Sequence, residues 1–217
     1  MFALPPDLGR SADQPLRVVA VGAHADDLEI GAGGTILRLL AERPHTAVWW
    51  AVLSACAERA PEAHRAASEM LASAKESEVY VLGFQDGVLP QQALEVRDWV
   101  RQTLQPAAPH LVLTHRLDDA HQDHRAVAEV SWQTFRGACI AAYEIPKWDA
   151  DLDRPNAYVA LDEATVDRKL DLLARAFPSQ AERDWYDPET FRGLMRIRGV
   201  EAGTRYAEAF HCRKLVW

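Results

Sequence analysis

The stretch Val18–Gly34, VVAVGAHADDLEIGAGG, restricts the fold of this 217-residue chain more than any other segment. Its uninterrupted apolar run reads as a strand covered on both faces, as parallel sheets require. The run stops at His24, Asp26 and Asp27. A parallel strand that ends in polar groups delivers them to the carboxyl edge of the sheet, where open α/β folds collect ligands and catalytic groups. A second apolar run, HLVLTH, leads into THRLDDAHQDHRA, where Asp119, His121, Asp123 and His124 fall within six positions.

Together the two clusters read as one divalent-metal site. Carboxylates and imidazoles gathered at strand ends repel or stay unpaired without a cation. Zinc takes nitrogen and oxygen ligands, and a catalytic site commonly uses three protein ligands and leaves one position for water. His24, Asp27 and His124 supply such a set. Consecutive side chains leave an extended segment in different directions, so one of Asp26 and Asp27 ligates and the other is free to act as a base. Asp118 and Asp119 also suit helix capping, since Asp is favoured before a helix and AHQDHRAVAEVSWQTF has a helical pattern. His45, His64 and His110 are isolated and carry no assignment.

Apolar runs alternate with helical patterns along the chain, as a parallel α/β sheet requires. The expected strands are LRVVAVGAH, TAVWWAVLS, VYVLGF, HLVLTH and ACIAAYEI; the expected helices are TILRLLAERP, PEAHRAASEMLASAKE, ALEVRDWVRQTLQ and HRAVAEVSWQTF. The pattern predicts a Rossmann-like three-layer α/β sandwich with a mostly parallel central sheet, the metal site lying at the carboxyl ends of the strands. A polar loop, KWDADLDRPN, a short strand, NAYVAL, and a helix, EATVDRKLDLLARAF, follow. That helix carries Val166, Leu170, Leu172, Leu173 and Phe177 as a core face. Gly31–Gly34 lacks the spacing of a dinucleotide fingerprint; it predicts a tight loop and close packing of the helix behind it.

At 48% hydrophobic and 26% charged residues, residues 1–217 are expected to form one domain with its own core. The net charge of −8 argues against a nucleic-acid surface, which wants clustered Lys and Arg. Three cysteines without C-x-x-C spacing point to a reducing compartment. The segment MFALPPDLGRSADQP lacks a secretory apolar run, and no stretch reaches the length of a membrane span. A cytoplasmic protein without a membrane partner is expected.

Four motifs carry a family resemblance: AHADDLE at Ala23–Glu29, LGFQDG at Leu82–Gly87, DAHQDH at Asp119–His124 and RGVEAGTRYAEAF at Arg198–Phe210. In this order they resemble the LmbE-like or PIG-L-type zinc-dependent N-acetylglucosamine deacetylases. The resemblance implies that His24, Asp27 and His124 bind Zn²⁺ and that Asp26 is the general base. It further implies that His121 is a charged imidazole steadying the oxyanion and that Asp123 orients a histidine. Asp86 is implied to hold sugar hydroxyls, and Arg65, with Arg59 as the other choice, to help bind substrate. Ala25 departs from the family's usual proline, which relaxes a φ restraint and restores a backbone N–H without losing a ligand.

The implied reaction is hydrolysis of an N-acetyl amide on a free, glycosidic or nucleotide-linked amino sugar. An amidase for a larger N-acyl conjugate or antibiotic precursor, and a non-catalytic metal-dependent binding protein, are the rival readings. Iron, cobalt and nickel also suit His and Asp ligands. Trp148 and Trp185 lie in polar segments, where they pack loops onto the domain or offer a stacking platform. Leu215 and Trp217 suit a homo-oligomer interface, a sheet edge or the core.

Overall fold

A computed structural model describes residues 14–214; Leu215 and Trp217 lie outside them. Seven strands form one sheet in the order β3-β2-β1-β4-β5-β7-β6. They are β1 (Leu16–His24), β2 (Thr46–Ser54), β3 (Glu76–Val81), β4 (Leu111–Thr114), β5 (Cys139–Tyr143), β6 (Ala157–Leu161) and β7 (Tyr206–Cys212). The first five pair in parallel. Strand β7 runs antiparallel between β5 and β6.

Six α-helices cover the sheet: α1 (Asp27–Glu42), α2 (Arg59–Met70), α3 (Ala93–Thr103), α4 (Gln122–Thr134), α5 (Glu163–Ala176) and α6 (Pro188–Ala202). Alternation along β1 assigns the two cores. Leu16, Val18 and Ala20 face a cluster that includes Leu28, Ile36, Met70, Val166, Leu170 and Met195 from α1, α2, α5 and α6. Val19, Val21 and Ala23 face the other, with Val96 and Val100 of α3 and Val127 and Val130 of α4. The expected three layers and mostly parallel sheet are present, and the helix after Ala164 buries its apolar stripe as its spacing predicts. No helix among the described residues is long and apolar enough to cross a membrane.

Two local expectations are corrected, and one motif gains its elements. Gly31–Gly34 lies inside α1, which starts at Asp27, rather than in a tight loop. Its close packing is real: a Cβ on Gly31 would run into the Tyr143 ring, and one on Gly34 into Leu161 and Glu208. Helix α2 begins two residues early and ends at Met70, because the chain turns there to enter β3 at Glu76. The RGVEAGTRYAEAF motif folds into the end of α6 and into β7, elements that the apolar pattern does not announce.

Order reversal places the site. The chain steps outward from β1 through β2 to β3, then crosses to the far side of β1 to build β4 and β5. Ligand crevices of open α/β sheets form where the strand order reverses, here at the carboxyl ends of β1 and β4.

Candidate metal centre

His24 is the last residue of β1, and Asp27 opens α1. Between them Asp26 adopts φ 99°, a left-handed conformation in a residue with a Cβ, which costs energy and persists only where surroundings impose it. Arg59 imposes it from the first position of α2: its Nη2 donates to the Ala25 carbonyl and, at 2.8 Å, to Asp26 Oδ2. The Asp27 carboxylate turns back to accept the His24 N–H at 2.7 Å.

Three donor atoms converge. His24 Nδ1 lies 3.4 Å from Asp27 Oδ2, His124 Nε2 lies 3.5 Å from the same oxygen, and the two ring nitrogens are 3.3 Å apart. Ligands at about 2.0–2.1 Å from a tetrahedral ion stand roughly 3.3–3.4 Å from one another. The triangle therefore fits one face of a tetrahedral first-row metal site. His24 also groups with His121 and His124, and with Asp86 and Asp123, and Asp27 with His115 and His124, each set with ligand atoms within 4.8 Å.

The outer nitrogens of both histidines of the triangle meet carboxylates. His124 Nδ1 pairs with Asp119 Oδ2 at 2.9 Å; His24 Nε2 pairs with Asp123 Oδ2 at 3.2 Å and Asp86 Oδ1 at 3.0 Å. Such partners fix ring orientation and leave the inner nitrogen for the metal. Asp119 is thus engaged with His124 and with the His121 N–H at 2.8 Å. The residue that caps α4 is His121, whose Nδ1 accepts the Asp123 N–H at 3.2 Å. Asp123 also accepts the N–H groups of Gly87 and Leu89 at 2.7 and 3.0 Å, so it fastens the LGFQDG loop to the centre.

Electrostatics separates the two neighbouring aspartates. Burial raises the Asp26 carboxyl to about 7 against the pull of Arg59, and Asp27 adds to the rise. Burial acts the same way on Asp27, but the imidazoles of His124, His115 and His24 hold it well below the usual range. Burial, with His115 beside it, pushes His124 down to about 3 and keeps its ring neutral, as a metal ligand must be. His24 is raised despite burial, because Asp123, Asp27 and Asp86 surround it; a cation in their midst would replace that proton. Burial, Lys147 and His24 lower the pKa of His121. With Nδ1 accepting the Asp123 N–H, the ring presents its hydrogen on Nε2.

Asp26, Asp27, His24, His121, Asp123, His124 and Asp86 are all brought to this edge. Arg65 is exposed on α2, and no contact links it to the cluster; Arg59 occupies that place. Sequence reasoning passed over His115. It follows β4 as His24 ends β1, is fully buried, stacks on His124 at 3.9 Å between ring centroids, and lies 3.2 Å from Asp27 Oδ2. Its Nε2 accepts the Ala23 N–H at 2.9 Å. Its place after an apolar strand was the available signal.

The chain is thus a mostly parallel α/β sandwich with a His/Asp donor triangle at its switch point. Residues 19–135, more than half of the chain, match the PIG-L family of GlcNAc-PI de-N-acetylases, and the chain belongs to that family. Three solved structures share the fold. The conserved protein TT1542 from Thermus thermophilus is 24% identical with a TM-score of 0.74, over 93% of this chain and 96% of that one. An N,N'-diacetylchitobiose deacetylase from Pyrococcus horikoshii is 22% identical, TM-score 0.67, over 90% and 83%. GalB, the 4-carboxy-2-hydroxymuconate hydratase from Pseudomonas putida KT2440, is 20% identical, TM-score 0.69, over 93% and 98%. These similarities concern the fold; the chemistry has to be argued from the site.

Proposed function

We propose that this protein is a zinc-dependent deacetylase that removes the N-acetyl group from an N-acetylglucosamine-type substrate. The observation that carries the reading is the 3.3–3.5 Å triangle of His24 Nδ1, Asp27 Oδ2 and His124 Nε2, with Asp26 and His121 beside it. Family membership and the diacetylchitobiose deacetylase among the structural neighbours support it.

When bound there, the ion supplies a water acidified toward neutral pH and positive charge next to the scissile carbonyl. The chain's own groups do the rest. Asp26, near 7, is poised to take a proton from the attacking water and return it to the leaving amine. Arg59 keeps that carboxylate aimed. His121 offers its Nε2–H to the oxygen on which charge develops, a donor worth about 10²–10³ in turnover where such donors have been removed. Asp86, exposed over much of its side chain, has a free oxygen for sugar hydroxyls.

The test is acetate release from free N-acetylglucosamine, its glycosides and nucleotide-linked forms, with zinc and with a chelator. Chelator-sensitive release is the expected result. No release from any member by zinc-loaded protein, with larger N-acyl conjugates cleaved instead, would replace this reading by the amidase; hydration of an unsaturated acid would align the chain with the hydratase neighbour. Asp26→Asn is expected to lower kcat by about 10²–10⁴ while elemental analysis finds the metal still bound. Near-normal turnover would remove Asp26 from the base role.

A further inference from the structure

We propose that Cys139 and Cys212 form a second reactive site, a dithiol that a hydroperoxide closes to a disulfide. It stands apart from the deacetylase reading. Cys139 opens β5 and Cys212 closes β7, and the two strands pair antiparallel. Because β5 runs parallel to β4, and β4 to β1, this end of the sheet is the one opposite His24.

Strand register puts both thiols on one face. Ala141 pairs with Cys212, and directly opposed residues of an antiparallel pair point the same way. Ala138 and Ile140 pack with the α3 and α4 core, so alternation turns Cys139, with Ala141, toward the other core, against which Cys212 also packs. The two cysteines are therefore diagonal neighbours across the ladder, and the Cys212 thiol donates a hydrogen bond to Cys139 Sγ. The backbone around them is held. Asn156 Nδ2 donates to the Cys212 carbonyl at 2.9 Å, and its Oδ1 accepts the Cys212 N–H at 2.8 Å. Next along the chain, Arg213 lies over the Trp132 ring at 5.1 Å and Lys214 Nζ donates to the Arg136 carbonyl at 2.8 Å, which keeps the end of β7 beside the start of β5. Sulfurs already in contact have to approach to about 2 Å, and they do so where the ladder ends and can give.

The pair divides the chemistry between its members. Both thiols are free and half-buried, while Cys56 is exposed and belongs to neither strand. The hydrogen bond from Cys212 pulls the Cys139 thiol down to about 7 against burial, and the same bond, with burial, pushes Cys212 up. Cys139 is thus the attacking thiolate and Cys212 the resolving thiol. The Cys139 sulfur attacks the outer oxygen of the hydroperoxide; the O–O bond breaks, and the alcohol leaves with the proton that Cys139 gave up. Cys212 then attacks the sulfenic sulfur, the S–O bond breaks, and hydroxide departs as water with the Cys212 proton. Two thiols lose two electrons, and the hydroperoxide is reduced to alcohol and water. In a reducing compartment such a bond is transient and reports oxidant rather than serving as a permanent staple.

The test exposes the folded full-length chain to hydrogen peroxide, alkylates the remaining thiols and maps the peptides by mass spectrometry. The expected product lacks two hydrogens, joins Cys139 to Cys212 within one chain, leaves Cys56 outside the bond and reverts with dithiothreitol. Because the closed loop spans β6, α5 and α6, oxidation is expected to raise the folding equilibrium constant in urea by on the order of 10²-fold, a gain that dithiothreitol removes. Cys212→Ser keeps the attacking thiol and loses the resolving one, so dimedone is expected to label Cys139 in that variant and to label it little in the wild type. The pairing itself is read in the wild type and does not depend on a variant folding. Three alkylatable thiols after peroxide, a bond through Cys56, or a cross-link between chains overturns the proposal. So does an equal gain in stability on oxidation of Cys212→Ser, which would trace the effect to some other modification.

Discussion

Two buried polar clusters flank helix α1, and they are built on opposite principles. Behind the helix, Lys169 and Glu208 form a pair at 2.7 Å in which every strong group is engaged. Lys169 Nζ also donates to the Ile30 carbonyl at 2.5 Å, and the Glu208 carboxylate accepts the N–H groups of Gly34 and Thr35 at 2.8 and 2.7 Å. At the helix's N-terminal end the candidate metal centre is left open. One imidazole, His24, is shared among three carboxylates, and Glu29 Oε1 and Oε2, His115 Nδ1 and Arg59 Nε are buried without partners. A closed polar network holds a fold together; an open one is where a ligand is meant to enter.

The largest expected effect falls on the closed cluster. Lys169→Met leaves the Glu208 carboxylate buried without its cation and should cost about 3–5 kcal/mol in urea unfolding. The double variant Lys169→Met, Glu208→Gln should recover most of that, because neither charge is then stranded. Specific activity per folded molecule is expected to stay near wild type in both. A proportional loss of kcat at full folding would break the contrast, since the pair would then act on the centre through α1.

Next in size is Asp119→Asn. The change keeps shape but weakens the acceptor that orients His124, and metal affinity is expected to fall about 10–100-fold, as for other carboxylates behind a ligand histidine. Competition with a chromophoric chelator measures it. Unaltered affinity would reduce Asp119 to a turn residue that merely accepts the His121 N–H.

The same contrast explains what the sequence discloses. Strands β1, β2, β4 and β5 are legible because both faces are covered, so each is a plain apolar run closed by polar residues. His24 and Asp27 are legible for the same reason, at or just beyond the end of β1, whereas His124 is marked by the acidic and histidine-rich cluster that follows β4. Strand β7 is hidden because Glu208 sits buried in its middle, and that inward carboxylate is explained only by N–H groups of α1 far away in the chain. Helix α6 turns Arg198 inward and leaves Ile197 and Val200 exposed, which inverts the expected stripe. Strand β3 escapes clean delimitation because it is an edge strand, with Glu76 and Glu78 guarding it. His115 gains its meaning only once β4 pairs with β1. Choosing between Arg59 and Arg65 needs the start of α2: six residues are about 240° around a helix, so only one of the two can face Asp26.

A pH series is the sharpest probe of the open cluster. Burial raises the Glu29 carboxyl to about 8 from 4.5, with Asp26 and Asp27 adding to the rise. The folded chain therefore keeps a proton that the unfolded chain has lost. Stability from this group is complete below about 4.5 and declines as the pH climbs toward 8, by at most about 1.4 kcal/mol per pH unit for one proton. Glu29→Gln removes the titration and leaves the volume. In metal-free protein, urea curves at several pH values across that window should show the variant gaining on the wild type as pH rises, with no gain below it. Asp26 is raised in the same direction and titrates in both proteins; because it interacts with Glu29, the difference between the curves reports Glu29 together with that coupling. Parallel curves would mean that Glu29 ionises inside the folded chain against a partner of its own, and the centre would then be closed like the Lys169 pair before any metal arrives.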